Sequence, residues 1–90
     1  MMDVEILERD DVFRVTVKTR KIDLSQAKIL ERIVLNLPGN RSLLSIDLKK
    51  VDGIDDGGLR YLKSVFSQVE ENDCQIKIIN LKKKLDTLVS

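Results

Sequence analysis

Hydrophobic residues recur along this chain first at every second position and then at every third or fourth, and the switching between these two periods predicts its elements. Val4 and Ile6 alternate with polar neighbours, Arg9-Asp10-Asp11 supplies a turn, and Phe13, Val15 and Val17 alternate with Arg14, Thr16 and Lys18. That pattern predicts a hairpin with one buried face. Ala27, Leu30, Ile33, Val34 and Leu37 then fall on one helical stripe, and Asp23, three residues before Gln26, reads as an acidic capping box. Pro38-Gly39-Asn40 ends this helix, because proline cannot donate to it and glycine or asparagine readily turns the chain. Leu43, Leu44, Ile46 and Leu48 form the next strand, and Leu59, Leu62, Val65, Phe66 and Val69 the second helical stripe. Asn72-Asp73 turns into a strand through Ile76, Ile78 and Ile79, and Lys82 to Val89 predicts a short final helix through Leu85, Leu88 and Val89.

Strands alternating with helices of this length imply parallel strands joined by right-handed crossovers, with the first hairpin adding one antiparallel edge. The expected fold is a small α/β domain spanning residues 1–90, with a mixed, mainly parallel sheet of about four strands and packed helices. No linker, repeat or low-complexity segment divides it.

Composition narrows the chemistry more than the fold. A chain of 90 residues buries roughly 60 to 68% of the surface exposed on unfolding, enough to fold without disulfides or metal. Cys74 stands alone, which excludes an internal disulfide, suits a reducing cytoplasm and predicts a packing role. Histidine is absent, which removes the usual general base and the commonest metal ligand. No nucleophile and base pair is evident at any spacing, so the expectation is a protein that is not an enzyme. The amino end lacks the basic and apolar regions of a signal peptide, and no run approaches the ~20 apolar residues of a membrane span. A net charge of +1 and 3% aromatic content give neither the field nor the stacking platforms that nucleic acid needs.

The most informative segment is the strand-to-helix junction from Leu48 to Leu59, where Asp52, Asp55 and Asp56 mix with Gly53, Gly57 and Gly58. Either Asp55 or Asp56 can cap the helix, and an acid there suits the positive end of the helix dipole. Asp56 is the expected cap. Gly57 and Gly58 open the helix with no Cβ, a costly choice for helix propensity that lets another backbone or a partner approach closely.

At these residues the chain resembles the STAS domains, whose founding members are bacterial anti-sigma factor antagonists. Family members carry an apolar strand ending in Asp-Leu, an apolar residue before Asp, then Ser or Thr, a small residue, Gly and Leu. Here that reads Ile46-Asp47-Leu48 followed by Gly53-Ile54-Asp55-Asp56-Gly57-Gly58-Leu59, and the likeness extends from the Ile22-Asp23-Leu24 step through the last strand. The family's phosphoacceptor hydroxyl falls on Asp56, which serine kinases cannot phosphorylate. The resemblance implies a cytoplasmic, non-catalytic module without cofactor that docks onto an anti-sigma factor or serine kinase-like regulator. It implies a docking rim of Asp55, Asp56, Gly57 and Gly58, with Asp23 at the neighbouring helix entry and Arg60 and Lys63 on the exposed flank, Ser64 near them. The alternatives are a STAS subunit of a membrane transporter or other complex, and a small-ligand sensor for phosphate or nucleotide.

Other charged groups have plainer readings. Asp52, Asp55 and Asp56 on one loop lack further oxygen ligands at a calcium-loop spacing, so no metal is expected. Asp47, between apolar residues, is expected to bond nearby backbone amides. Lys18, Arg20 and Lys21 follow one strand and Lys49 and Lys50 the next, so a parallel pair brings both clusters to one sheet edge, where open α/β folds bind ligands. Without a glycine-rich phosphate loop they read as solvated charges, as does Lys82-Lys83-Lys84.

Overall fold

Alternation in the first third of the chain makes the hairpin that starts the sheet. The computed structural model describes residues 3–10, 12–37, 43–71 and 74–83. Strand β1 (Val4–Arg9) pairs antiparallel with β2 (Val12–Val17), from Val4 opposite Val17 to Arg9 opposite Val12. Asp10, in the tight connection, takes the left-handed conformation at φ 56°, which aspartate tolerates better than most residues. On β2 Phe13, Val15 and Val17 are buried against the core and Arg14 faces out, while Thr16, on the Arg14 face, is also covered. On β1 it is not, because this strand is the sheet's outer edge; Val4 packs against the core, but Ile6 stays largely exposed.

The sheet order is β1-β2-β4-β6, with β4 (Leu43–Asp47) central and parallel to both β2 and β6 (Gln75–Ile79). Leu44, Ile46 and the following Leu48 are fully buried, as the run of apolar residues implied. Helices α1 (Leu24–Leu35) and α2 (Asp56–Glu71) close the core. The α1 stripe buries Ala27, Leu30 and Val34, with Ile33 and Leu37 only partly covered; α2 buries Leu62, Val65, Phe66 and Val69, with Leu59 at the margin. Cys74 is a free, buried member of the same core.

One element was not predicted. Strands β3 (Lys21–Ile22) and β5 (Gly53–Ile54) form a separate two-stranded parallel sheet, with Lys21 opposite Gly53 and Ile22 opposite Ile54. The amides of Asp52 and Gly53 donate to the Arg20 carbonyl at 2.6 and 3.2 Å, and the Asp55 amide donates to the Ile22 carbonyl at 3.0 Å. This miniature sheet fastens the segment entering α1 to the segment entering α2. The predicted turns at Pro38-Gly39-Asn40 and Asn72-Asp73, and the final helix beyond Lys83, lie outside the described residues.

Candidate functional site

Both helices begin beside the miniature sheet, and each is capped by an aspartate. Asp23 accepts from the Gln26 amide at 2.9 Å, and its own carbonyl accepts from Ala27. The reciprocal half of a capping box is absent: the Gln26 side-chain oxygen is buried without a hydrogen-bond partner. At α2 the cap is Asp55 rather than the expected Asp56. The Asp55 carboxylate accepts from Gly58 at 2.7 Å and its carbonyl from Leu59 at 2.8 Å. Asp56 is the first helical residue, exposed, and its side chain makes no hydrogen bond or ion pair among the described residues. Two equally good capping residues stood in tandem, and the bond from the Asp55 amide to Ile22 decides between them by fixing where the extended chain ends.

The two glycines have different surroundings. A Cβ on Gly57 would lie 3.6 Å from the Leu24 Cβ and 3.7 Å from an Asp55 carboxylate oxygen, which is ordinary contact. A Cβ on Gly58 would lie 2.8 Å from the Ile22 carbonyl oxygen and 3.1 Å from the Asp23 carbonyl carbon and oxygen. Gly58 is therefore buried against backbone, behind the rim rather than on it. The close approach that the sequence suggested is made by the chain's own β3–α1 junction.

The exposed rim thus comprises Asp23, Asp55, Asp56 and Gly57, flanked by Arg60 and Lys63 on the open side of α2. Leu24, which sequence reasoning passed over, sits in the middle of it, 42% exposed beside Gly57. Next to it lies a shallow cavity of about 340 Å³, lined by Lys21, Ile22, Asp23, Gly53, Ile54 and Asp55. Behind the rim the Tyr61 hydroxyl donates to Glu31 at 2.6 Å, tying α2 to α1; this bond, with lesser help from burial, pushes the phenol above its usual value.

Asp52 and Asp47, also singled out by the sequence, are held within the fold by hydrogen bonds and ion pairs. Asp52 accepts from Lys82 and, at 3.1 Å, from the Arg20 Nε, which together hold its carboxyl below the usual range. Arg20 and Lys82 are accordingly ion-paired, not merely solvated. Among the described residues no group of acids or cysteines is placed to hold a metal ion. Asp47 is fully buried and accepts from the Lys49 amide at 3.0 Å, as expected, but also from the Arg14 guanidinium at 2.7 Å and the Asn80 amide at 3.1 Å. Burial alone would raise its carboxyl; these donors outweigh burial and hold it below its ordinary 3.8.

The cap assignment has a direct test. Replacing Asp55 by alanine should cost about 1 kcal/mol of folding stability, whereas Asp56→Ala should cost no more than a few tenths, from the lost dipole contact. Denaturant melts with a larger midpoint loss for Asp56→Ala would return the cap to that residue.

The fold is shared with proteins much larger than this chain. Mglu matches with a TM-score of 0.80 at 15% identity over 88% of this chain and 20% of that one. Murine Solute Carrier 26 family member A9, an anion transporter in the inward-facing state, matches with a TM-score of 0.76 at 21% identity over 90% of this chain and 14% of the transporter. A further SLC26A9 structure matches with a TM-score of 0.74 at 11% identity, over 88% of this chain and 15% of that one. The chain thus spans a fifth or less of these proteins. No curated protein sequence matches it. The STAS domain family model, however, matches residues 3–90, and the chain belongs to that family.

Proposed function

We propose that this domain is a non-catalytic protein-binding module that docks a regulatory partner, an anti-sigma factor or related serine kinase, through the start of α2 and the neighbouring start of α1. The observation that carries this reading is Asp56. It falls on the family's phosphoacceptor position in the resemblance, is exposed at the first residue of α2, and its carboxylate has no partner among the described residues. Its charge near −1 stands where phosphoserine would bring about −1.5 to −2 and three acceptor oxygens, so it is a partial and permanent mimic of the modified state. Leu24 offers an apolar anchor between the acids, the kind of buried contact that carries binding energy when a polar ring excludes water around it.

Replacing Asp56 by serine removes one negative charge and restores a phosphorylatable hydroxyl at the helix start. Affinity for the partner should rise about tenfold, equivalent to ~1.4 kcal/mol, because one unfavourable charge contact at the interface is relieved. The check is affinity capture by wild type, Asp56→Ser and Asp56→Glu at two salt concentrations from native extract depleted of ATP, so that the serine stays unmodified, followed by mass spectrometry. Stronger capture of a kinase-like ATPase by Asp56→Ser than by wild type and Asp56→Glu supports the reading, and equal capture by all three would show that the position is not read.

A second reading is favoured by the fold shared with the Slc26a9 anion transporter, of which this chain matches a small part. In that reading the domain is a STAS component of a membrane transport complex. No helix among the described residues is long and apolar enough to cross a membrane, so the spanning part would belong to other segments. Capture of transporter components instead of a kinase would decide for it.

A further inference from the structure

The sheet face opposite the helices carries a second concavity, of about 370 Å³, away from the docking rim. Glu5 and Leu7 line it from β1, Arg14, Thr16 and the following Lys18 from β2, and Lys49 and Lys50 from the loop after β4. These β1 and β2 residues alternate with the buried Phe13, Val15 and Val17, so register places them on the outer face. The parallel strands β2 and β4 end side by side here, at Val17 and Asp47, and the loop after β4 brings Lys49 and Lys50 beside the outer-face residues of β2.

Charge identifies the ligand class. Arg14 is taken by Asp47 at 2.7 Å, and Lys18 faces Glu5 at 3.4 Å. Lys49 and Lys50 have no ion-pair partner among the described residues, so the pocket holds two unmatched positive charges. A dianion balances them. Thr16 adds a hydroxyl at the floor, and Leu7, 54% exposed, forms an apolar wall that a bare inorganic ion would leave uncovered. The volume exceeds what a lone oxyanion fills and falls near the lower end of small-molecule sites, roughly 300 to 1,000 Å³.

We propose that this pocket binds a phosphate monoester, free or as a lipid headgroup. Lys49 and Lys50 take the phosphoryl oxygens through charge-assisted hydrogen bonds, the Thr16 hydroxyl and Lys18 flank them, and Leu7 covers the organic part. The site lies on different elements from the docking rim and stands or falls independently of that reading.

The test uses phenyl phosphate, inorganic phosphate and vesicles of phosphatidylcholine with or without phosphatidic acid. Calorimetry should show phenyl phosphate binding more tightly than inorganic phosphate, with amide NMR shifts at Thr16, Lys18, Lys49 and Lys50 and none at Gly57 or Gly58. Lys49→Gln/Lys50→Gln, whose side chains are exposed and outside the core, should weaken binding about tenfold or more while leaving the melting curve in place. Leu7→Ala should weaken phenyl phosphate alone. Vesicle binding that requires phosphatidic acid and is lost in the double variant assigns the lipid source, and phenyl phosphate binding without vesicle binding assigns a free ester. No binding of either probe, shifts confined to the start of α2, or binding unchanged in the double variant would overturn the proposal.

Discussion

Gly58→Ala should destabilise the fold by about 2 kcal/mol, although the same substitution in an exposed helix stabilises by about 1 kcal/mol through helix propensity. The reversal comes from what the new methyl group meets. At 2.8 Å from the Ile22 carbonyl oxygen it contacts backbone, which cannot rotate away as a flexible side chain does. That backbone is held on one side by pairing with β5 and on the other by the Asp23 cap of α1, so relief requires α2 to move. Gly57→Ala is the control. Its methyl would reach nothing nearer than 3.6 Å, so the propensity gain survives and the variant should be as stable as wild type or slightly more so. Denaturant melts of the pair decide the matter, and equal stability of the two alanine variants would mean that Gly58 is not kept for close approach.

Asp47→Ala should cost about 3 kcal/mol, because three donors lose a charged acceptor in a site with little water to replace it. Arg14 keeps part of its hydration, since its side chain is 45% exposed, which holds the loss below that of a wholly buried pair. Asp47→Asn preserves volume but presents an NH₂ group where one of the donors points, and should recover only part of the loss. The carboxylate also predicts an acid dependence. Its folded pKa lies below the unfolded value of about 3.9, so its contribution is fully present above that value and is lost as pH falls through the lower folded one. Asp52, held low by Lys82 and Arg20, acts in the same direction and contributes to both proteins in the comparison. The stability difference between wild type and Asp47→Asn should therefore be constant near neutral pH and shrink below about pH 4. A difference that stays constant into strong acid would show that the carboxylate charge is not what the donors recognise.

Periodicity made the long elements legible. Phe13, Val15 and Val17 declared their parity, and the α2 stripe its buried side, because each repeats often enough to define a phase. Two-residue strands repeat nothing, and β3 and β5 were invisible for that reason. Asp47 was expected to bond nearby backbone amides, and it accepts from the Lys49 amide two residues on. Arg14 and Asn80 stand 33 residues away on either side, and only the strand order brings them together. At the rim, Asp23, Asp55 and Asp56 were legible as residues suited to helix starts. Which of the tandem pair caps α2 was not, since the choice rests on a hydrogen bond to another strand. Leu24 entered the sequence reading only within the Ile22-Asp23-Leu24 step, outside the α1 stripe, and nothing in the periodicity marked it as an exposed residue beside Gly57.

The β3–β5 pairing also bears on the thermodynamics of encounter. A loop of acids and glycines free in solution would lose roughly 1 to 2 kcal/mol of backbone entropy per residue on being ordered by a partner, enough to erase the affinity of a small interface. Here that loss is incurred once, during folding, because Arg20, Ile22, Asp52, Gly53 and Asp55 are already joined by backbone hydrogen bonds. A partner docking at the two helix starts, as proposed, would meet a surface in its final shape, and its recognition would be set by rigid complementarity rather than by induced order.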